Sequence, residues 1–187
     1  DGTFYITGSF SGDARFQNDS IHSYNNEDVF LAKYNNNGSL IWAKNIGWGT
    51  NRDRGSALFV KNDTISVIGF FKDSLIFGDT IKASNCDTLI TNGHINSFLV
   101  SYTSNGNYLS SKQFIGTANG TRLNSLHICN NGDYYISGIL DDSLYFDNKT
   151  NFISTSTGSG KDIIFIKLNS NKDFIFGKAI GNGNLNY

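Results

Sequence analysis

The sequence predicts an all-β protein made of three copies of one unit. Three observations carry this. Apolar residues recur at every second position through most of the chain. Asn-Gly pairs separate the apolar runs. Segments of one pattern return three times in the same order. The composition agrees: fifteen Phe, nine Tyr, twenty Gly and about twenty-five Asn in 187 residues suit twisted strands joined by tight turns. A net charge of -1 argues against nucleic acid or an anionic membrane as the main partner. No apolar run approaches the ~20 residues a membrane-spanning helix needs.

The repeat is visible residue by residue. FYITGSF (4–10), ISVIGFF (65–71) and YYISGIL (134–140) share Gly8, Gly69 and Gly138, and a Phe follows each glycine eight residues later, at Phe16, Phe77 and Phe146. DVFLAKYNNNG (28–38), NSFLVSYTSNG (96–106) and DIIFIKLNSNK (162–172) come next, then LIWAKNIG (40–47), YLSSKQFIG (108–116) and FIFGKAIG (174–181). SALFVKND (56–63) and SLHICNNG (125–132) each lead into the next shared glycine.

Each segment reads as a strand. In 4–10, Phe4, Ile6, Gly8 and Phe10 fall on one face and Tyr5, Thr7 and Ser9 on the other, the alternation of a half-buried strand. Phe30, Ala32 and Tyr34 repeat it, as do Phe98, Val100 and Tyr102. Asn37-Gly38, Asn105-Gly106 and Asn131-Gly132 predict tight hairpins with positive φ at both turn positions. The shared glycine predicts a close backbone approach where sheets converge. From the shared Phe to the next strand the distance is 14, 21 and 18 residues, so a variable insertion is expected there as a surface loop, with a further hairpin around 75–84.

One unit therefore has four principal strands, and the expected divisions are 1–55, 56–124 and 125–187. Four antiparallel strands repeated at roughly sixty residues point to β-propeller blades. Three blades do not close a ring, and exposed sheet edges invite pairing. The chain also lacks Met and begins at the second strand of a unit. It is expected to be part of a longer chain, with edge-to-edge assembly of several copies as the alternative. The predicted partners are accordingly other protein chains, or the rest of its own chain, meeting at blade edges, within a larger surface complex.

The residues GTFYITGSFSGDARF, DVFLAKYNNNGSLIWAKNIG and DRGSALFVKND resemble the bacterial β-propeller repeat of the SBBP type. Unit 1 fits best, through Tyr5, Gly8, Phe10, Asp28, Phe30, Lys33, Trp42 and Asp53. Units 2 and 3 depart from it: Ser110 and Phe176 replace Trp42, and Arg122 replaces Asp53. The resemblance implies a secreted or outer-surface protein of Bacteroidota type, exported by type IX secretion. It transfers no catalytic residue.

No catalytic, metal or cofactor set emerges from the residues. Glu27 is the one glutamate, so a Glu-based acid/base pair is absent. His22, His94 and His127 lack metal-ligand spacing, and His127 reads as a strand-surface or packed histidine. Cys86 and Cys129 either form one bridge or stay free, with Cys129 a small strand residue. Residues 51–55 (NRDRG) read as a turn between units. Lys33, Lys44, Lys112, Lys167 and Lys178 recur at strand positions and read as a solvated face, with a basic stripe as the alternative.

Asp-Ser/Thr-aliphatic triplets occur six times, placing hydroxyls at Ser20, Thr64, Ser74, Thr80, Thr88 and Ser143. Roughly one is expected from composition. The pattern resembles the O-glycosylation sequon of Bacteroidota, and these six are candidate acceptors. The competing explanation is local: Asp-Ser/Thr starts a strand after a turn, with the Asp side chain bonding nearby backbone. Trp48, between Gly47 and Gly49, is the candidate for stacking on a sugar. The function expected is structural or protein-interacting, non-enzymatic and extracellular. A carbohydrate- or glycoprotein-binding module is the alternative, and a propeller-type enzyme ranks third.

Overall fold

The computed structural model describes residues 2–78, 84–118, 120–146, 149–153 and 160–181. Among them are thirteen strands and no helix, and every strand pairing is antiparallel. The all-β prediction holds. The strands form three meanders. The first is β1 (Phe4–Phe16), β2 (Asp19–Tyr34) and β3 (Leu40–Gly49). The second is β4 (Arg54–Lys61), β5 (Thr64–Phe77), β6 (Asp87–Thr103) and β7 (Tyr108–Gly116). The third starts with β8 (Arg122–Ile128) and β9 (Tyr134–Leu140), is interrupted by a hairpin of β10 (Ser143–Phe146) and β11 (Lys149–Ile153), and ends with β12 (Asp162–Leu168) and β13 (Phe174–Ile180).

The sequence repeat is a repeat of register. Gly8 pairs with Phe30, Gly69 with Phe98 and Gly138 with Ile164. The close approach expected at the shared glycine is present, but its cause lies within one sheet. β4 carries a bulge between Gly55 and Ala57, and β8 one between Leu123 and Ser125. A Cβ at Gly69 would collide with the carbonyl of Arg54, and one at Gly138 with that of Arg122. The bulges push those carbonyls inward, and only glycine leaves room.

The insertion after the shared glycine is more than a surface loop. In the first two meanders the paired strands run on through a bulge, and in the third they break into β10 and β11. The base of each later insertion reaches back to the preceding sheet: Leu75 and Ile76 pair with Gly49 and Trp48, and Leu144 and Tyr145 with Gly116 and Ile115. These short pairings link the sheets of the first two meanders and the β10–β11 hairpin, nine strands with β4 off the main path, beside the four-stranded sheet β13-β12-β9-β8 of the third meander. Phe77 and Phe146 are buried there, Phe77 against Phe98 (4.9 Å) and Phe146 against Phe114 (5.0 Å); Phe16 is half-buried at 5.4 Å from Phe30.

The half-buried strands expected from alternation become fully buried in the second sheet. One core cluster joins Val29, Leu31 and Ile46 of the first sheet to Ile65, Val67, Phe71, Phe98 and Tyr102 of the second. The other joins Ile68, Leu99 and Phe114 of the second to Leu123, Ile136 and Ile164 of the third. The middle sheet thus has apolar neighbours on both faces.

The turns also differ from expectation. Gly38, Gly106 and Gly132 have positive φ, but Asn37, Asn105 and Asn131 do not. Gly38 N–H donates to Asn35 O and Gly106 N–H to Thr103 O, so each loop is one turn closed by a left-handed residue. A fourth copy uses Lys172 at φ 65°, donating to Asn169 O.

Candidate functional site

The loop entering the second sheet builds the first junction. Asp53 is fully buried, its N–H donates to Glu27 O at 2.9 Å, and a Cβ on Gly49 would collide with its carboxyl group. Neither Asp53 carboxyl oxygen has a hydrogen-bond partner in good geometry. Burial, then the nearby Asp28 carboxylate, push the Asp53 pKa up to about 9, against a smaller pull from the Lys72 backbone N–H. Asp53 is therefore a protonated, neutral group near pH 7. Asp28, also fully buried, accepts from Tyr24 N at 2.7 Å and Asn45 Nδ2 at 2.5 Å; burial raises its pKa and those bonds oppose the rise.

Above this pair, Glu27 grips Arg54 with two bonds, Arg54 Nε to Oε2 at 2.8 Å and Nη2 to Oε1 at 3.0 Å. The guanidinium holds the Glu27 carboxyl below its usual pKa.

The second junction repeats this frame with different residues. Arg54 pairs with Phe70 and Arg122 with Ile139, each one residue past a shared glycine. Thr121, and not Arg122 as the sequence comparison has it, takes the place of Asp53, because the strand register sets Arg122 level with Arg54; Asn96 takes that of Asp28. Thr121 Oγ1 donates to Asp141 O and accepts from Asp141 N, both at 2.9 Å, and Asn96 Oδ1 accepts from Gly116 N at 3.1 Å. Glu27 lies three residues before Phe30, and Ile95 three before Phe98. Ile95 therefore stands where Glu27 stands, and Arg122 lacks the carboxylate that Arg54 has.

A cavity of about 610 Å³ opens between these junctions. Its wall includes Arg52, Arg54, Lys72 and Arg122, with Phe70 and Ile95, and no carboxylate. Three of the chain's four arginines converge here. The Arg122 guanidinium lies over the Phe70 ring, 4.7 Å from its centroid, and its Nε is buried without a hydrogen-bond partner. Sequence reading missed this site, having taken 51–55 as a turn. The available signal was the clustering of arginine in equivalent segments of a chain with few arginines.

The sequence-derived candidates are scattered over the molecule. Ser20 and Thr88 are exposed, Thr64 and Ser74 half-buried, and Ser143 buried; Thr80 lies outside the described residues. Two of the Asp-Ser steps have a local role. Asp73 and Asp142 have positive φ, and the carbonyls of Ser74 and Ser143 accept from Thr50 N and Thr117 N, tying adjacent sheets. Trp48 is half-buried at the end of β3. Cys86 and Cys129 are both free. His127 packs edge-on against Phe59 at 4.8 Å, and His22 bonds Asp13 at 2.6 Å. Three of the recurring lysines have specific partners: Lys33 and Lys44 donate to the carbonyls of Ser104 and Gly106 in the next sheet, and Lys167 pairs with Asp133 at 2.8 Å. Among the described residues no three His, Cys, Asp or Glu side chains are placed to hold a metal ion. No protein-family model matches the chain, and no curated protein matches it.

Proposed function

We propose that the three meanders are blades of a β-propeller of the SBBP repeat type, and that the chain is a non-enzymatic interaction module working outside the cell or on its outer surface. The observation that carries this reading is the aromatic face of the first sheet. Phe4, Phe10, Phe16, Phe30 and Tyr34 stand at the register positions of Ile65, Phe71, Phe77, Phe98 and Tyr102. Those five residues of the second sheet are fully buried. Phe4 is 45% exposed and Ile6 37%, and the rest of the first face is half-buried. A face of this composition is most stable under another sheet. A further blade, from a larger ring or a neighbouring chain, is the cover. β1 is also a sheet edge, lacking the strand that β4 gives β5 and β8 gives β9.

Electron microscopy of the native particle tests this. A radial ring of sheets with the Phe4–Tyr34 face covered is the expected result. A particle in which that face meets solvent overturns it. Protease shaving of intact cells tests the location, with release of the chain expected. The exposed hydroxyls of Ser20 and Thr88 are the proposed O-glycan acceptors, and an intact mass equal to the bare polypeptide removes that part. The cationic cavity favours a second reading, that of a carbohydrate- or glycoprotein-binding module.

A further inference from the structure

The internal symmetry of the two junctions exposes a missing partner. We propose that the cavity lined by Arg52, Arg54, Lys72 and Arg122 binds a small polycarboxylate, one carboxylate of which meets the Arg122 guanidinium, whose equivalent one repeat earlier is bonded by Glu27.

The argument starts from register. Arg54 and Arg122 are equivalent, and so are Glu27 and Ile95. The first arginine is satisfied by two bonds from its own chain. The second keeps the guanidinium, but the position of its carboxylate holds an isoleucine. The buried Nε is closed to a ligand, so an oxyanion in the cavity meets the part of the Arg122 guanidinium that lines the wall. Phe70 lies against the guanidinium, its ring centroid 4.7 Å from Arg122 Cζ, and restricts its movement. A planar fork restricted in this way selects a planar carboxylate that can bridge two N–H groups.

The surroundings ask for more than one negative charge. Arg52, Lys72 and Arg122 have no ion pair among the described residues. Glu27 feels the charge of Arg52 but both of its carboxylate oxygens are bonded to Arg54. A volume of about 610 Å³ lies within the range of small-molecule sites. Arg52 and Arg54 are exposed, so affinity should fall as salt rises. The inference rests on the binding-module reading for its purpose but not for its geometry.

Titration calorimetry on the full chain at low salt tests it, with citrate and digalacturonate as probes. Sub-millimolar binding of at least one probe is expected. Stronger binding of digalacturonate assigns the carboxylate to an acidic sugar, and stronger binding of citrate to a free polycarboxylate. Ile95→Glu installs the carboxylate that the first junction already has. It should weaken binding by about tenfold or more and raise the thermal midpoint of the ligand-free chain. Arg122→Lys keeps the charge but not the fork, and should weaken binding similarly while leaving the fold intact. The proposal is overturned if neither probe binds below about 5 mM, or if both variants bind as tightly as the parent chain. Mass analysis of the recovered probe separates the two readings: a chemically altered probe sinks the non-enzymatic function and leaves the site standing.

Discussion

The hydroxyl of Tyr102, on the second sheet, donates to the carbonyl of Ile46, on the first, at 2.9 Å, and both residues are buried. This bond crosses the apolar cluster that joins the two sheets. Removing the hydroxyl leaves the Ile46 carbonyl without that donor in a water-poor site. Tyr102→Phe should destabilise by about 1–2 kcal/mol, read as a fall of about 2–8 °C in the thermal midpoint. An unchanged midpoint would show that the bond is replaced by water.

The Glu27–Arg54 pair should matter less. Its side chains are 23% and 45% exposed, so solvent screens it, and Glu27→Gln should cost at most about 1 kcal/mol. The folded chain holds Glu27 below its ordinary pKa of 4.5. The stabilisation is therefore present above that ordinary value and is lost as pH falls through the lowered one. Thermal melts of the parent and the variant should differ at pH 7 and converge in strong acid. A difference that persists there would assign the effect to packing.

Asp53 carries the opposite sign. Its pKa is raised from 3.8 to about 9 on folding. Between those values the unfolded chain has given up a proton that the folded chain keeps, so stability falls as pH rises across the window and levels off above it. Asn mimics the neutral form at every pH. Asp53→Asn should match the parent near pH 4 and exceed its midpoint by roughly 10 °C or more at pH 8. An equal or lower midpoint at pH 8 would mean that the carboxylate is ionised in place.

Two glycines separate steric need from conformational need. A Cβ at Gly69 meets the Arg54 carbonyl, which the β4 bulge holds in place, whereas a Cβ at Gly38 meets nothing within 4 Å and has only the positive φ of 81° to overcome. Gly38→Ala should cost about 1 kcal/mol. Gly69→Ala should cost more than about 3 kcal/mol or leave no folded chain. Denaturant melts rank the two, and a reversed order would show that the β4 bulge relaxes.

Much of the fold was legible because the signals were local. Alternation of Phe4, Ile6 and Phe10 named a strand, and the glycine before each hairpin return named a left-handed residue. The reason for Gly69 was misassigned because the bulge in β4 leaves no mark in composition. Lys172 was not recognised as the fourth copy of the turn, since a lysine at positive φ is held there by hydrogen bonds from the loop around it. The buried hydroxyl of Ser143 could not be told from the exposed hydroxyl of Ser20, because both follow an aspartate.

From the sequence alone came the all-β class, the strands and the polar turns, since each depends on residues within a few positions of one another. The tertiary structure alone decided which sheet is covered on both faces, which hydroxyls reach solvent, and how Arg52, Arg54, Lys72 and Arg122 meet in one cavity. Those outcomes depend on residues up to 70 positions apart, and only the stacking of whole sheets sets their separation. The setting of Arg122 belongs to both levels. Isoleucine is written at position 95, but its significance appears only once the register sets it against Glu27.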